Sequence, residues 1–138
     1  MRIGMLLLAK VTQITMLLEN RPGTLARVCS TLGKAGVNIL ALFAPEVRGR
    51  GKMRVWVDFP DEAKKALKLA GIRFTTEKVV AMAVDNTAGA FSEIVEKLGR
   101  ARINIKYAYA ATAEGSVKST VIMSVPDVTK ALRVLRHR

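Results

Sequence analysis

The sequence predicts an α+β fold of two tandem modules, each with its strands and helices in the order βαββαβ. Three observations lead to this prediction. An extended motif occurs twice, each copy holds two stretches with the period of an amphipathic helix, and neighbouring stretches alternate between apolar and polar residues as half-buried strands do. This order places two helices on one face of an antiparallel sheet, which is the ferredoxin-like arrangement.

The repeat begins where Leu18–Gly23 aligns with Val84–Gly89, and it continues without a gap until Val37–Ile39 falls on Ile103–Ile105. The helix inside this stretch has apolar residues at i, i+3, i+4 and i+7, the spacing of one buried stripe. Its members are Leu25, Val28, Cys29 and Leu32 in the first copy, and Phe91, Ile94, Val95 and Leu98 in the second.

The first copy contains all six elements of one module. In order, they are a strand at Val11–Leu18, a helix at Thr24–Ala35, strands at Val37–Ala44 and Lys52–Phe59, a helix at Asp61–Ala70 and a strand at Ile72–Glu77. Pro60 and Asp61 are typical of a helix start. Gly49 and Gly51 provide the positive φ that a hairpin between the second and third strands needs.

The second copy begins with a strand at Val79–Val84, has its hairpin at Glu114–Ser116, and carries no fourth strand after its second helix. An additional apolar strand is predicted at Ile3–Leu8. We expect it to fill the vacant edge, in the same chain or in a partner subunit, because an open edge exposes unpaired backbone groups. The predicted divisions are an N-terminal extension strand at residues 1–10, a first module at 11–77 and a second at 78–138.

The composition limits the classes of function. Half of the residues are hydrophobic, and lysine and arginine number 23 against 11 aspartates and glutamates, a net charge of +12. This charge favours anionic partners or a solvated basic surface. One cysteine, Cys29, and one histidine, His137, do not suffice for a disulfide framework, a metal cluster or a Ser/His/Asp set. We therefore expect a cytoplasmic protein that is not an enzyme and has no cofactor, metal or membrane segment.

The turn that joins the first strand to the first helix is the strongest candidate for a binding site. It comprises Asn20, Arg21, Pro22, Gly23 and Thr24. A helix start leaves backbone N–H groups without helical partners, and these groups and the helix dipole favour a carboxylate. Asn20 and Asn38 each offer a donor and an acceptor, as a zwitterion requires, and both recur, as Asn86 and Asn104. The alternative is that these residues have a structural role only: Asn20 supports the turn, and Asn38 supports the junction between the helix and the next strand.

The passages Leu18–Leu25 and Gly36–Ile39 closely resemble the ACT domain family, whose hallmark is an Asn-Arg-Pro-Gly turn followed by a helix and Gly-Val-Asn-Ile. The resemblance extends from Val11 to Leu135 and implies a small regulatory protein of paired modules that senses an amino acid. It implies a ligand at an interface between modules, with Asn20, Gly23 and Leu25 contributed by one and Asn38 and Ile39 by its neighbour. The resemblance also implies an apolar or aromatic amino acid as the ligand, because Leu18 stands where serine-binding members of the family often have a polar residue.

The second copy departs from this pattern, because Thr87 and Ala88 replace the Arg-Pro pair before Gly89. Phe91 also takes the place of the helix leucine, so we expect a looser turn there. The equivalent ligand-binding candidates are Asn86, Gly89, Phe91, Asn104 and Ile105.

An alternative function is nucleic-acid binding, since RNA-recognition modules share the ferredoxin-like order. Trp56 is expected to project opposite to Val55, Val57 and Phe59, and Tyr107 and Tyr109 are candidates for base stacking if exposed. One tryptophan is a weak stacking platform. A sheet face with Leu40, Leu42 and Trp56 favours pairing of modules instead, and we expect a homodimer whose bound state is read by an enzyme or regulator.

Overall fold

A computed structural model of the chain describes residues 7–45 and 48–137, which contain six strands and four helices and confirm the predicted α+β class. The elements are β1 (Leu8–Glu19), α1 (Thr24–Lys34), β2 (Ile39–Phe43), β3 (Arg50–Val57), α2 (Pro60–Leu69), β4 (Phe74–Asp85), α3 (Ala90–Arg100), β5 (Tyr107–Ala111), β6 (Lys118–Ser124) and α4 (Val128–Arg136).

The chain divides into two compact units. The first unit is Thr12–Glu77, and the second contains the residues before Thr12 together with those from Lys78 onward. Strands β1 and β4 are long enough that each contributes residues to both units.

In the first unit the strands are ordered β2-β3-β1-β4, with β3 antiparallel to both β2 and β1. Helices α1 and α2 cover one face of the sheet, because apolar residues on both helices and on alternate strand positions share one core. Its buried members are Ile14, Met16, Val28, Leu32, Val37, Met53, Val55, Val57, Ala63, Leu67 and Ile72.

The second unit repeats this plan with strands ordered β1-β4-β6-β5 and helices α3 and α4. Its core contains Val80, Met82, Val84, Leu98, Ile103, Val121, Met123, Val125, Val128, Ala131 and Leu132. Residues 7–11 occupy the position of the missing fourth strand. The backbone O of Leu7 accepts from the N–H of Ala83 at 2.9 Å, and Leu8 packs against this core.

The separate N-terminal strand predicted at Ile3–Leu8 lies outside the described residues except at its end. Leu8 instead begins β1, which continues unbroken to Glu19. Lys10 Nζ donates to Thr129 Oγ1 of α4 at 2.8 Å, so a side chain adds to the backbone pairing at this edge.

Two predictions about the first sheet are wrong. Phe59 does not belong to the buried set, since it is 57% exposed after β3 has ended and stands at the N-cap of α2. A β-bulge between Ile39 and Ala41 changes the face on which the later β2 residues lie. Leu42 consequently pairs with Val55, on the helix side, and does not share a face with Trp56.

The predicted helix stripes are buried or half-buried except at their first positions, with Val28, Leu32 and Leu98 fully buried. Leu25 is 43% exposed and Phe91 is 40% exposed. The following strands also begin later than predicted. The N–H of Val37 bonds the O of Leu32 at 3.0 Å and still completes α1, so β2 begins at Ile39.

Candidate functional site

The turn between β1 and α1 is held in shape by its own hydrogen bonds. Thr24 Oγ1 donates to the O of Glu19 at 2.9 Å and to the O of Arg21 at 3.1 Å. Gly23, the N-cap residue, has φ of 92°, a left-handed conformation in which other residues are strained. The N–H of Asn20 reaches the O of Gly49 in the β2–β3 hairpin at 2.6 Å. The turn is therefore formed before any ligand binds.

The start of α1 leaves two backbone donors available. The N–H of Arg27 bonds the O of Gly23 at 3.0 Å, which closes the first helical turn. The N–H groups of Leu25 and Ala26 have no acceptor among the described residues, and Gly23 provides no side-chain cap. Two backbone donors and the positive end of the helix dipole are thus found together at the start of α1.

A cavity of about 310 Å³ opens beside this turn, on the side of the β2–β3 hairpin. It brings together four residues that the sequence had marked as ligand-binding: Asn20, Arg21, Thr24 and Leu25. The remaining lining residues are Leu18, Glu19, Ala44, Pro45, Gly51, Lys52 and Met53. Charges of both signs and an apolar wall consequently surround one small space.

A second, larger cavity of about 700 Å³ lies against the same turn. Pro22 and Gly23 line it, and they do not line the smaller one. The two cavities share Leu18, Glu19, Arg21 and Thr24, so the turn forms a wall common to both.

Asn38 and Ile39 line neither of these cavities. They follow the far end of α1, whose 11 residues span about 16 Å. The N–H of Asn38 donates to Asp58 Oδ1 at 2.8 Å, and the N–H of Asp58 donates to the O of Asn38 at 3.1 Å. One amino-acid molecule in the smaller cavity is too short to reach both Asn20 and the Asn38 of the same unit.

The turn of the second unit also has a left-handed glycine, and its asparagine also bonds the neighbouring hairpin. Gly89 has φ of 85° at the N-cap of α3. Asn86 donates from its backbone N–H to Val117 and from Nδ2 to the O of Ser116, both at 2.9 Å, and so ties the turn to the β5–β6 hairpin. Asn104 is exposed and Ile105 half-buried, both before β5.

Sequence reasoning missed the wall that the hairpin contributes to the smaller cavity, namely Ala44, Pro45, Lys52 and Met53. The strand register contains the missing signal, since Leu18 pairs with Gly51 and Leu17 with Lys52. Any register that buries Met53 and Val55 places the start of β3 beside the end of β1.

The aromatic candidates for base stacking are half-buried. Tyr107 pairs with Ser124 and Tyr109 with Ile122, and both of these partners are fully buried. Trp56 pairs with Gln13, which is also fully buried. These surroundings are typical of packing and unlike an open stacking surface.

Among the described residues, no group of three or more His, Cys, Asp and Glu side chains could hold a metal ion. Within that same part of the chain, no helix has both the length and the apolar character needed to cross a membrane.

Two ferredoxin-like units with a preformed turn at the start of a helix define a class of regulatory, small-molecule-binding domains. The sequence profile described as the ACT domain pair matches residues 9–135. The chain belongs to the ACT domain pair family, as the resemblance in the sequence predicted.

Several solved structures share this fold. A protein from Bacteroides thetaiotaomicron is 28% identical with a TM-score of 0.86, over 94% of this chain and 88% of that one. The ligand-free regulatory subunit of aspartate kinase from Thermus thermophilus is 22% identical with a TM-score of 0.69, over 95% of both chains. E. coli aspartokinase III in complex with lysine and aspartate is 15% identical with a TM-score of 0.57, over 95% of this chain and 31% of that one. No curated protein matches the sequence.

Proposed function

We propose that this protein is an amino-acid sensor whose ligand occupies the cavity of about 310 Å³ between the β1–α1 turn and the β2–β3 hairpin. The observation that carries the proposal is the lining of this cavity, which has the three chemical parts that an apolar amino acid needs. Its volume is at the lower end of the range for small-molecule sites, which suits a metabolite of this size.

The polar lining suits a zwitterion. The free N–H groups of Leu25 and Ala26, with Lys52 beside them, provide positive potential for the α-carboxylate. The Glu19 carboxylate provides the opposite charge for the ammonium group, and Asn20 can serve either. Glu19 also pairs with Arg21 at 3.3 Å, an exposed ion pair that costs little to rearrange.

The apolar lining suits a hydrophobic side chain. Leu18, Leu25, Pro45 and Met53 form this wall, and Leu25 is 43% exposed without a ligand. Burial of apolar surface contributes roughly 25 cal/mol per Å², so an amino acid that covers this wall gains over a polar one. We therefore place apolar and aromatic amino acids first among the ligands.

A second copy of the chain completes the site in this proposal. Asn38 and Ile39 are separated from the smaller cavity of their own unit by the length of α1, so they are available to a ligand held by another chain. The protein then works as a homodimer, in the cytoplasm, and an enzyme or regulator reads its bound state. The amino acids bound to E. coli aspartokinase III are compatible with an amino-acid ligand on this fold.

We infer that the second unit binds more weakly, through Asn86, Gly89, Phe91, Asn104 and Ile105. Thr87 and Ala88 stand where the first unit has Arg21 and Pro22, so this turn lacks the proline that stiffens the loop.

The experiment is a thermal-shift screen of the twenty amino acids, followed by calorimetric titration of those that raise the melting temperature. A ligand that binds only the native state stabilises it by mass action. Asn20→Ala and Asn38→Ala should each weaken binding by roughly 2- to 12-fold, the range for one hydrogen bond. Ser30→Ala, an exposed position on α1 outside both cavities, is the matched control and should bind as the wild type does.

Mixed dimers distinguish a site between chains from a site within one chain. A dimer of one Asn20→Ala chain and one Asn38→Ala chain contains one site with both asparagines intact, provided that the two come from different chains. Mixing the two variants should therefore restore wild-type affinity in part of the sites. Absence of this recovery contradicts a site shared between chains. In the thermal-shift screen, a rise in melting temperature with short RNA alone that fades as salt rises favours the nucleic-acid alternative.

A further inference from the structure

The larger cavity at the turn, of about 700 Å³, has an unusual concentration of positive charge. Among the described residues, four arginines line it, namely Arg21, Arg27, Arg50 and Arg73, against one carboxylate, that of Glu19. An amino-acid carboxylate carries one negative charge and leaves most of this positive charge without a counterpart. The lining therefore suits a ligand with several negative charges.

The arginines reach the cavity from four separate segments of the first unit. Arg21 lies in the β1–α1 turn, Arg27 on α1, Arg50 at the start of β3, and Arg73 just before β4. Arg50 and Arg73 are distant in sequence from each other and from the other two, so no local run of basic residues explains why all four meet. The tertiary fold produces this cluster.

The internal repeat shows that the fold does not need these charges. At the positions of Arg21, Arg27 and Arg50, the aligned second copy has Thr87, Glu93 and Ser116. Both copies nevertheless form the same turn, with a left-handed glycine at the N-cap of the helix. Arg21, Arg27 and Arg50 are thus a property of the first unit alone, as expected of a binding function, whereas Arg73 aligns with Arg138 of the second copy.

Two of the arginines are held in place and two have no ion-pair partner. Arg27 Nη2 donates to the O of Ala70 at the end of α2, and Arg21 Nε lies 3.3 Å from Glu19 Oε2. Arg50 and Arg73 form no ion pair with any described residue. These two guanidinium groups are therefore free to bind an anion.

We propose that this cavity binds a small molecule with a chain of phosphate groups, such as a nucleoside triphosphate or inorganic tripolyphosphate. The planar guanidinium presents paired donors that match phosphate oxygens, and such charge-assisted bonds are the strong ones.

A small molecule fits this site better than a nucleic-acid strand. The charges surround one concave space, whereas a strand requires a groove that follows its backbone and aromatic side chains on which bases stack. Within residues 7–45 and 48–137, no aromatic side chain lines this cavity. The two proposals can be tested separately, because Arg50 and Arg73 do not line the smaller cavity.

The experiment is a calorimetric titration of the full chain with ATP, AMP, tripolyphosphate and orthophosphate, at about 150 mM salt so that weak surface attraction is screened. We expect ATP and tripolyphosphate to bind, and AMP and orthophosphate to bind at least tenfold more weakly. Arg50→Gln/Arg73→Gln should weaken ATP binding by about tenfold or more, since each charge-assisted bond is worth at least a factor of about ten.

The control variant removes the same charge elsewhere. Arg100→Gln/Arg133→Gln alters two exposed arginines of the second unit that have no ion pair among the described residues, and it should bind ATP within twofold of the wild type. Equal losses in both double variants would show general electrostatic attraction and overturn the proposal. Failure of the wild-type protein to bind either ATP or tripolyphosphate would also overturn it. So would a short RNA that binds more tightly than ATP and loses affinity in Arg50→Gln/Arg73→Gln.

Arg27→Gln provides a second, independent variant, with its melting temperature measured without ligand. If this variant folds and binds ATP as tightly as the wild type, Arg27 has no part in the site. If Arg50→Gln/Arg73→Gln also binds normally, the polyphosphate site is wrong. Neither result affects the amino-acid proposal, which is tested by Asn20→Ala and Asn38→Ala.

Discussion

Alanine at two glycines of the first unit should have opposite effects on stability. Gly23 has φ of 92° at the N-cap of α1, whereas Gly33 lies within that helix and has no positive φ. At both positions an added Cβ meets no atom within 4 Å. Backbone conformation alone therefore decides the sign of each effect.

The magnitudes follow from the cost of the left-handed conformation and from helix propensity. Gly23→Ala should lower the free energy of unfolding by about 1–2 kcal/mol, the cost of placing a residue with a Cβ there. Gly33→Ala should raise it by roughly 0.5–1 kcal/mol, because glycine in a helix is destabilising by that amount relative to alanine. Gly23→Ala should thus be less stable than the wild type, and Gly33→Ala more stable.

The assay is urea unfolding followed by the fluorescence of Trp56. The sequence contains one tryptophan, and it lies in the same unit as both glycines, so the signal reports the relevant transition. The slope of the transition should stay constant while the midpoint moves down for Gly23→Ala and up for Gly33→Ala. A Gly23→Ala midpoint equal to that of the wild type would refute the reasoning, because it would mean that the turn adopts another conformation in solution.

Three further perturbations test the cores, a helix cap and the N-terminal edge. Leu32→Ala should cost about 2–5 kcal/mol because Leu32 is fully buried, while Leu69→Ala, at 91% exposure, should stay within about 0.5 kcal/mol of the wild type in the same urea titration. Asp127 caps α4 by accepting from the N–H of Lys130 at 3.0 Å, so Asp127→Ala should lower the free energy of unfolding by about 1 kcal/mol, measured by calorimetry. An unchanged stability would show that the cap is replaceable. Deletion of residues 1–9 removes a backbone partner of β4 and should cause aggregation or a larger oligomer in size-exclusion chromatography, and an unchanged elution volume would contradict this role.

Much of the fold could be predicted because the repeat and the periodicity reflect local physical chemistry. The helix of the first copy was predicted at Thr24–Ala35 and found at Thr24–Lys34, since a glycine turn and an apolar stripe mark it in the sequence. The family was also recognisable from the turn and from Gly36–Ile39. The side on which Leu42 lies was not predictable, because a single β-bulge reverses the alternation beyond it.

The candidate site could be predicted in part. Asn20, Arg21, Thr24 and Leu25 were marked by their position at a helix start, and the structure places all four around one cavity. That Asn38 lies beyond the reach of a ligand in that cavity depends on the length and direction of α1. The contribution of Lys52 and Met53 depends on strand register, which the sequence constrains only through the choice of buried residues.

The order of helices and strands, the duplication and the family can be read from the sequence, because they depend on the period of apolar residues and on turn chemistry within short stretches of chain. The tertiary structure decided which distant residues meet. Residues 7–11 pair beside β4, and four arginines from separate segments surround one cavity. Neither arrangement leaves a local pattern in the sequence, because packing of the sheet and helices brings these segments together.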